Sequence, residues 1–182
     1  MQINEKNFNA SFKCKFYCCG YSTRTERLFL ERKNEVKVNI PVSIFGAFPE
    51  VSYERILDED ISVGASLGVS VDDGDTYVGK YQFSPYFRWF FGGDRESARK
   101  YAAGFFIEVN ASVYSVKGDE DIGGGSNKTN FERGAGLGVG LGWKYVSKNN
   151  WVGEIFLGGG KDMSGNDIGG YPRAGISIGK RF

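Results

Sequence analysis

GAGLGVGLGWKYV, residues 134–146, carries glycine at 134, 136, 138, 140 and 142, with Ala135, Leu137, Val139, Leu141 and Trp143 between them. A period of two is the repeat of an extended strand, whose successive side chains point to opposite faces. One face of this strand is apolar and the other nearly bare. A phosphate-binding loop also uses closely spaced glycines, but no window satisfies G-x-G-x-x-G and no helical pattern follows. The bare face fits the inside of a narrow eight-stranded barrel, where long side chains arriving from other walls need somewhere to lie.

The same alternation recurs along the chain. EVKVNIPVSIF (35–45) sets Val36, Val38, Ile40, Val42 and Ile44 against Lys37, Asn39 and Ser43. PEVSYERIL (49–57) sets Val51, Tyr53 and Leu57, with Arg55, against Glu50, Ser52 and Glu54. ISVGASLGVSV (61–71) alternates apolar residues with serine and glycine without a miss. YQFSPYFRWFF (81–91) opposes Tyr81, Phe83, Phe87, Trp89 and Phe91 to Gln82, Ser84, Tyr86 and Arg88. AAGFFIEVNASVY (102–114) opposes Ala103, Phe105, Ile107, Val109, Ala111 and Val113 to Gly104, Glu108, Asn110 and Ser112. With 134–146, WVGEIFLGG (151–159) and PRAGISIGKRF (172–182), the expected strands number eight.

Segments of about 9–12 residues suit tilted strands that cross a bilayer, whereas soluble strands are nearer 5–6. The connections expected at 58–60, 92–100 and 147–150 lie on one rim, and those at 72–80, 116–133 and 161–170 on the other. The first connection, around Gly46-Ala47-Phe48, is the exception to a long-loop rim. The expected class is therefore all-β, an eight-stranded antiparallel up-and-down transmembrane barrel over 34–182. Residues 1–33 lack the alternation and read as an atypical leader outside it.

Composition restricts the function. The 182 residues suit one domain, and 23 Lys plus Arg against 22 Asp plus Glu leave a net charge of +1, which gives no electrostatic reason to bind nucleic acid. Histidine is absent, which removes the commonest general base and the commonest transition-metal ligand. Cys14, Cys18 and Cys19 have no second cluster to complete a four-ligand site. The acidic stretches at 72–75, 118–121 and 161–167 lack the ligand spacing of a calcium loop and read as solvated loops. No metal, cofactor or catalytic residue is expected.

A soluble lipocalin-like barrel that binds lipid would place the apolar parity inside and the polar parity in water. The polar parity here is rich in glycine and serine, whereas a water-facing sheet would favour Thr, Lys, Glu and other residues that tolerate exposure on a strand better than glycine does. The large aromatics Tyr53, Trp89, Phe91, Tyr101, Trp143, Tyr145, Trp151 and Phe182 gather toward the short-turn rim, as an interfacial girdle would. Phe182 ends an alternating strand, as in the terminal signal of outer-membrane barrels, and Lys180 is placed to snorkel to the interface.

PEVSYERILDEDISVGASLGVS, YQFSPYFRWFFGG, AAGFFIEVNASVYS and YPRAGISIGKRF, taken in that order, resemble the small OmpA-like outer-membrane barrels of Bacteroidota, in particular a family known only as a domain of unknown function. The resemblance spans about residues 34–182. It implies a barrel in the bacterial outer membrane and brings no catalytic residues. Residues 1–33 depart from it, since such proteins begin with a cleavable signal; an incorrect start or a frame error in the gene would account for that.

Inward parity then gathers the charges. Lys37, Arg88, Lys144, Arg173 and Arg181 face Glu50, Glu54, Glu108 and Glu154, and nearly cancel. Opposed charges in a narrow lumen should pair and close it, because an isolated buried charge costs several kcal/mol. The sequence reads as a non-enzymatic, plugged outer-membrane barrel whose partners are membrane lipid and other envelope proteins. A narrow pore is the alternative.

Overall fold

A computed structural model describes residues 32–71, 79–91, 101–117, 131–165 and 169–182. Cys14, Cys18, Cys19 and the acidic stretches 72–75 and 118–121 lie outside them. Eight strands, β1 (Asn34–Asn39), β2 (Glu50–Asp58), β3 (Ile61–Val69), β4 (Gly79–Phe91), β5 (Gly104–Lys117), β6 (Phe131–Val146), β7 (Trp151–Asp162) and β8 (Gly170–Arg181), pair antiparallel in sequence order. β8 pairs with β1 and closes the barrel.

The register fixes the tilt. Glu35 pairs with Glu54, and the path continues through Gly64, Tyr86, Asn110, Gly138 and Gly160 to Tyr171. Glu35 itself pairs with Arg181, so one circuit is displaced by ten residues (181 less 171). With about 3.3 Å per residue and about 4.8 Å between strands, that stagger over eight strands tilts them roughly 40° from the barrel axis.

The apolar parity faces outward on every strand. Val139 is 62% exposed and Leu157 71%, while Gly138 and Glu154 beside them are buried. This inverts a lipocalin-like barrel, whose apolar parity would line the cavity.

Three expectations need correction. The run 35–45 does not stay extended: after Asn39 the chain forms a short helix, α1 (Ile40–Phe45), with Pro41 in its first turn. Proline has no N–H for a ladder but suits the first helical positions, where that N–H has no partner anyway. The first connection is consequently 40–49, and its rim is long-looped throughout. Ala103, expected outward, is buried with Val146 and Val152, because Gly104 (φ +100°) redirects the chain as β5 begins. Asp162 is not part of a solvated loop but ends β7 as a buried residue.

Candidate functional site

The lumen holds the chemistry. β1 supplies Glu35 and Lys37, β2 Glu50 and Glu54, β4 Arg88, β5 Glu108, β6 Lys144, β7 Glu154, and β8 Arg173 and Arg181. Each lies on the inward parity of its strand, and all but Glu50 are buried.

Glu54 is the hub. It accepts from Lys37 Nζ at 2.5 Å, from Arg88 Nη1 at 2.8 Å, from Ser62 Oγ at 2.6 Å and from Lys144 Nζ. Lys37 also donates to Glu154 at 2.7 Å, and Lys144 to Glu35 at 2.9 Å. Arg88 spreads its guanidinium over three carboxylates, reaching Glu108 through Nε at 2.8 Å and Glu154 through Nη1 at 2.9 Å besides Glu54. The Cζ of the same group lies over the Tyr86 and Phe106 rings, 4.3 and 4.4 Å from their centroids. A weakly hydrated guanidinium with several donors can bond several acids while lying against aromatic rings, which a lysine ammonium does less well.

The chain of pairs runs on to both mouths. Toward the termini, Arg181 Nε donates to Glu35 at 2.7 Å and Nη1 to the Tyr101 carbonyl at 2.8 Å. Toward the opposite rim, Arg173 donates to Glu108 at 2.8 Å and to Ser66 Oγ at 2.9 Å, and lies 3.6 Å from Glu50. Beyond it, Tyr171 donates to Asn110 at 2.7 Å, and Tyr114, stacked obliquely on Tyr171, donates to Asp162.

Little space remains between these groups. The crevice bounded by Asn39, Glu50, Arg88, Glu154 and Arg173 has a volume of about 10 Å³, at the threshold for one water molecule. A cavity of about 100 Å³ opens at the terminal mouth, between Arg32, Lys33, Asp58, Tyr101 and Arg181.

All nine charged residues expected inward share one network. A tenth charged residue, Glu35, not among those expected, shares the parity of Lys37 and stands at the first alternating position. Its inclusion sets five carboxylates against five cations. Parity also gave no count of the apolar residues packed inside: Ile56, Phe90, Phe106 and Phe156 are buried beneath the charges.

Glycine and bulk are matched across the interior. A Cβ on Gly138 would stand 2.6 Å from the Gly159 carbonyl oxygen and 2.8 Å from Tyr171 Oη, and one on Gly142 would strike the Phe106 ring. Gly140 is roomier, its nearest neighbour at 3.5 Å.

Of the aromatics expected in a girdle, Tyr53, Trp89, Phe91, Trp143, Tyr145, Trp151 and Phe182 are exposed on the outer face. Trp89 and Phe91 stack at 4.7 Å, and Lys180 Nζ sits 5.0 Å over the Trp151 ring. Tyr101 departs from the set. It lies before β5, half-buried against the cluster of Ile56, Phe90, Phe106 and Phe156.

No family model and no curated protein matches the sequence. Among solved structures, the chain is similar to the N-terminal β-barrel domain of Pseudomonas aeruginosa OprF, with a TM-score of 0.57 and 17% identity over 82% of this chain and 97% of that one. At that identity the likeness shows the fold: a closed, eight-stranded, up-and-down antiparallel barrel.

Proposed function

We propose that the protein is a non-enzymatic integral outer-membrane barrel, its lumen plugged by paired charges, which acts as a structural or interaction protein through its loops or through envelope partners. One observation carries the reading: the charged residues are inside and the apolar ones outside. Val139, Leu141, Trp143, Ile155 and Leu157 crowd adjacent strands with exposed hydrocarbon, while Lys37, Glu54 and Lys144 are buried. A water-soluble protein rarely leaves so continuous an apolar surface uncovered, and a bilayer is the solvent that covers it on all sides.

The same ion pairs speak against catalysis and conduction. Glu108 and Glu154 are both bonded to Arg88, so neither carboxylate is open to a substrate. An ion crossing the lumen would have to part pairs that leave almost no free volume between them. The order of the sequence motifs supports placing the chain among the small Bacteroidota barrels of unknown function.

Cell fractionation followed by gels with and without boiling tests location: the protein should follow the outer membrane and shift in mobility on heating. Recovery as a detergent-free soluble monomer would overturn the reading. In planar bilayers no large steady conductance is expected, and a stable, ion-selective open state would replace the plug with a pore.

A further inference from the structure

The barrel wall is not equally tall all round. β1 has six residues and β6 sixteen, which at the roughly 40° tilt correspond to about 15 and about 40 Å along the axis. An outer-membrane barrel presents an apolar band about 25 Å high, so β1 covers only part of it. The ladder between β1 and β8 stops at Asn39 opposite Ser177. Among the described residues no strand pairs with 170–176 of β8 on that side.

The backbone there is arranged as an edge. Arg181 N–H bonds to Asn150 on the β7 side, and Phe182 exchanges bonds with Asn34 on the β1 side, so even-numbered residues of β8 aim their backbone at β1. Pro172, Ala174 and Ile176 are the even-numbered residues beyond its end. Pro172 has no N–H to leave unpaired, a recognised use of proline at sheet edges. The Ala174 carbonyl accepts from Asn39 Nδ2 at 3.3 Å.

α1 stands where the missing wall would be. None of its residues is buried, and Ile44 and Phe45 are 67% and 80% exposed. Its one polar side chain, Ser43, turns back to the strand ends, donating to the Asn39 carbonyl at 2.5 Å and accepting from Glu50 N–H at 3.3 Å. Val69 and Val71, tied to the segment after α1 by bonds from their N–H groups to the Pro49 and Ala47 carbonyls, are also exposed. Val36 and Val38 of β1, Val51 of β2, which pairs with Val38 and Leu67, and Leu67 and Val69 of β3 likewise expose hydrocarbon on the outer face.

We infer that the wall has a lateral gap facing the bilayer, closed by α1, and that Ile44 and Phe45 contact lipid acyl chains. The inference rests on the membrane reading above. An unpaired strand edge facing hydrocarbon must be covered or satisfied, and an apolar helix with no exposed polar side chain does so without extending the sheet.

The test uses the full chain with Cys14, Cys18 and Cys19 changed to serine, a spin label on Phe45→Cys or on Val139→Cys, and refolding into dioleoylphosphatidylcholine vesicles. Both labels should be relaxed several-fold more by oxygen, which concentrates among acyl chains, than by a water-soluble nickel chelate. A Phe45→Cys label favouring nickel while the Val139→Cys label favours oxygen would overturn the lipid-facing gap and leave the membrane barrel standing. Both labels favouring nickel would overturn both readings. A label at 45 shielded from both reagents until excess lipid dilutes the protein would mean that a second copy covers α1, and would overturn the inference as well.

Discussion

β2 and β6 lie on opposite sides of the lumen and fill it in opposite ways. β2 sends in Glu50, Ser52, Glu54 and Ile56; β6 sends in Gly134, Gly136, Gly138, Gly140 and Gly142 before Lys144 and Val146 end its row. The two patterns are one solution to a space problem. Tyr114, Tyr171 and Phe106 occupy room that side chains on β6 would need, and Glu54 meets Lys144 across the barrel. A crowded wall in so narrow a barrel requires a bare one.

Removing the crowded wall's hub should have the largest effect. Glu54→Ala leaves Lys37, Arg88 and Lys144 short of a shared anion, and breaking a buried pair from one side costs about 3–5 kcal/mol. Urea titration of the vesicle-refolded protein measures it; an unchanged midpoint would mean that the charges do not stabilise the interior. On the bare wall's outer face, Val139→Arg should cost about 2–4 kcal/mol in the same assay if the position is near the bilayer midplane. A loss under ~0.5 kcal/mol would place that face in water or protein.

The bare face itself gives the third and fourth comparisons. Gly138→Leu drives a side chain against the Gly159 carbonyl and Tyr171, and overpacking of this kind costs about 1–3 kcal/mol. A variant as stable as the parent would argue that the interior is not filled. Gly140→Ala meets only ordinary contacts and trades a flexible residue for a stiffer one, so its stability should rise by up to about 0.5–1 kcal/mol. A loss as large as that of Gly138→Leu would show that a uniformly bare wall, rather than local room, is what the fold requires.

The faces of the strands were legible because a period of two leaves few choices. Lys144 between Trp143 and Tyr145 and Arg88 between Phe87 and Trp89 could only point inward once the apolar parity pointed out. Where one residue changes the backbone direction, parity fails. Pro41 turns an apparently continuous strand into α1, although Val42 and Ile44 keep the alternation, and Gly104 shifts the phase so that Ala103 goes in. Phe106 and Phe156 share the inward parity, but alternation alone does not say that a charged lumen also needs rings to stack on its guanidinium. Tyr101 shows the limit for the girdle: an aromatic near the rim finds a cluster to lean on when its segment is not a strand.

The seam between β1 and β8 joins five residue pairs and the Asn34–Phe182 backbone bonds beside them, and three ion pairs, Glu35 to Arg181, Glu35 to Lys144 and Lys37 to Glu154, tie β1 to the last three strands. These partners are more than a hundred residues apart in sequence. Such contacts form late, because the intervening chain must be ordered before they can meet. Until they do, Glu35 lacks Arg181 and Lys144, and Lys37 lacks Glu154. Short in backbone bonds and rich in charge, the seam couples the docking of the first strand to the pairing of its charges, so closing the barrel and neutralising its interior are one structural event.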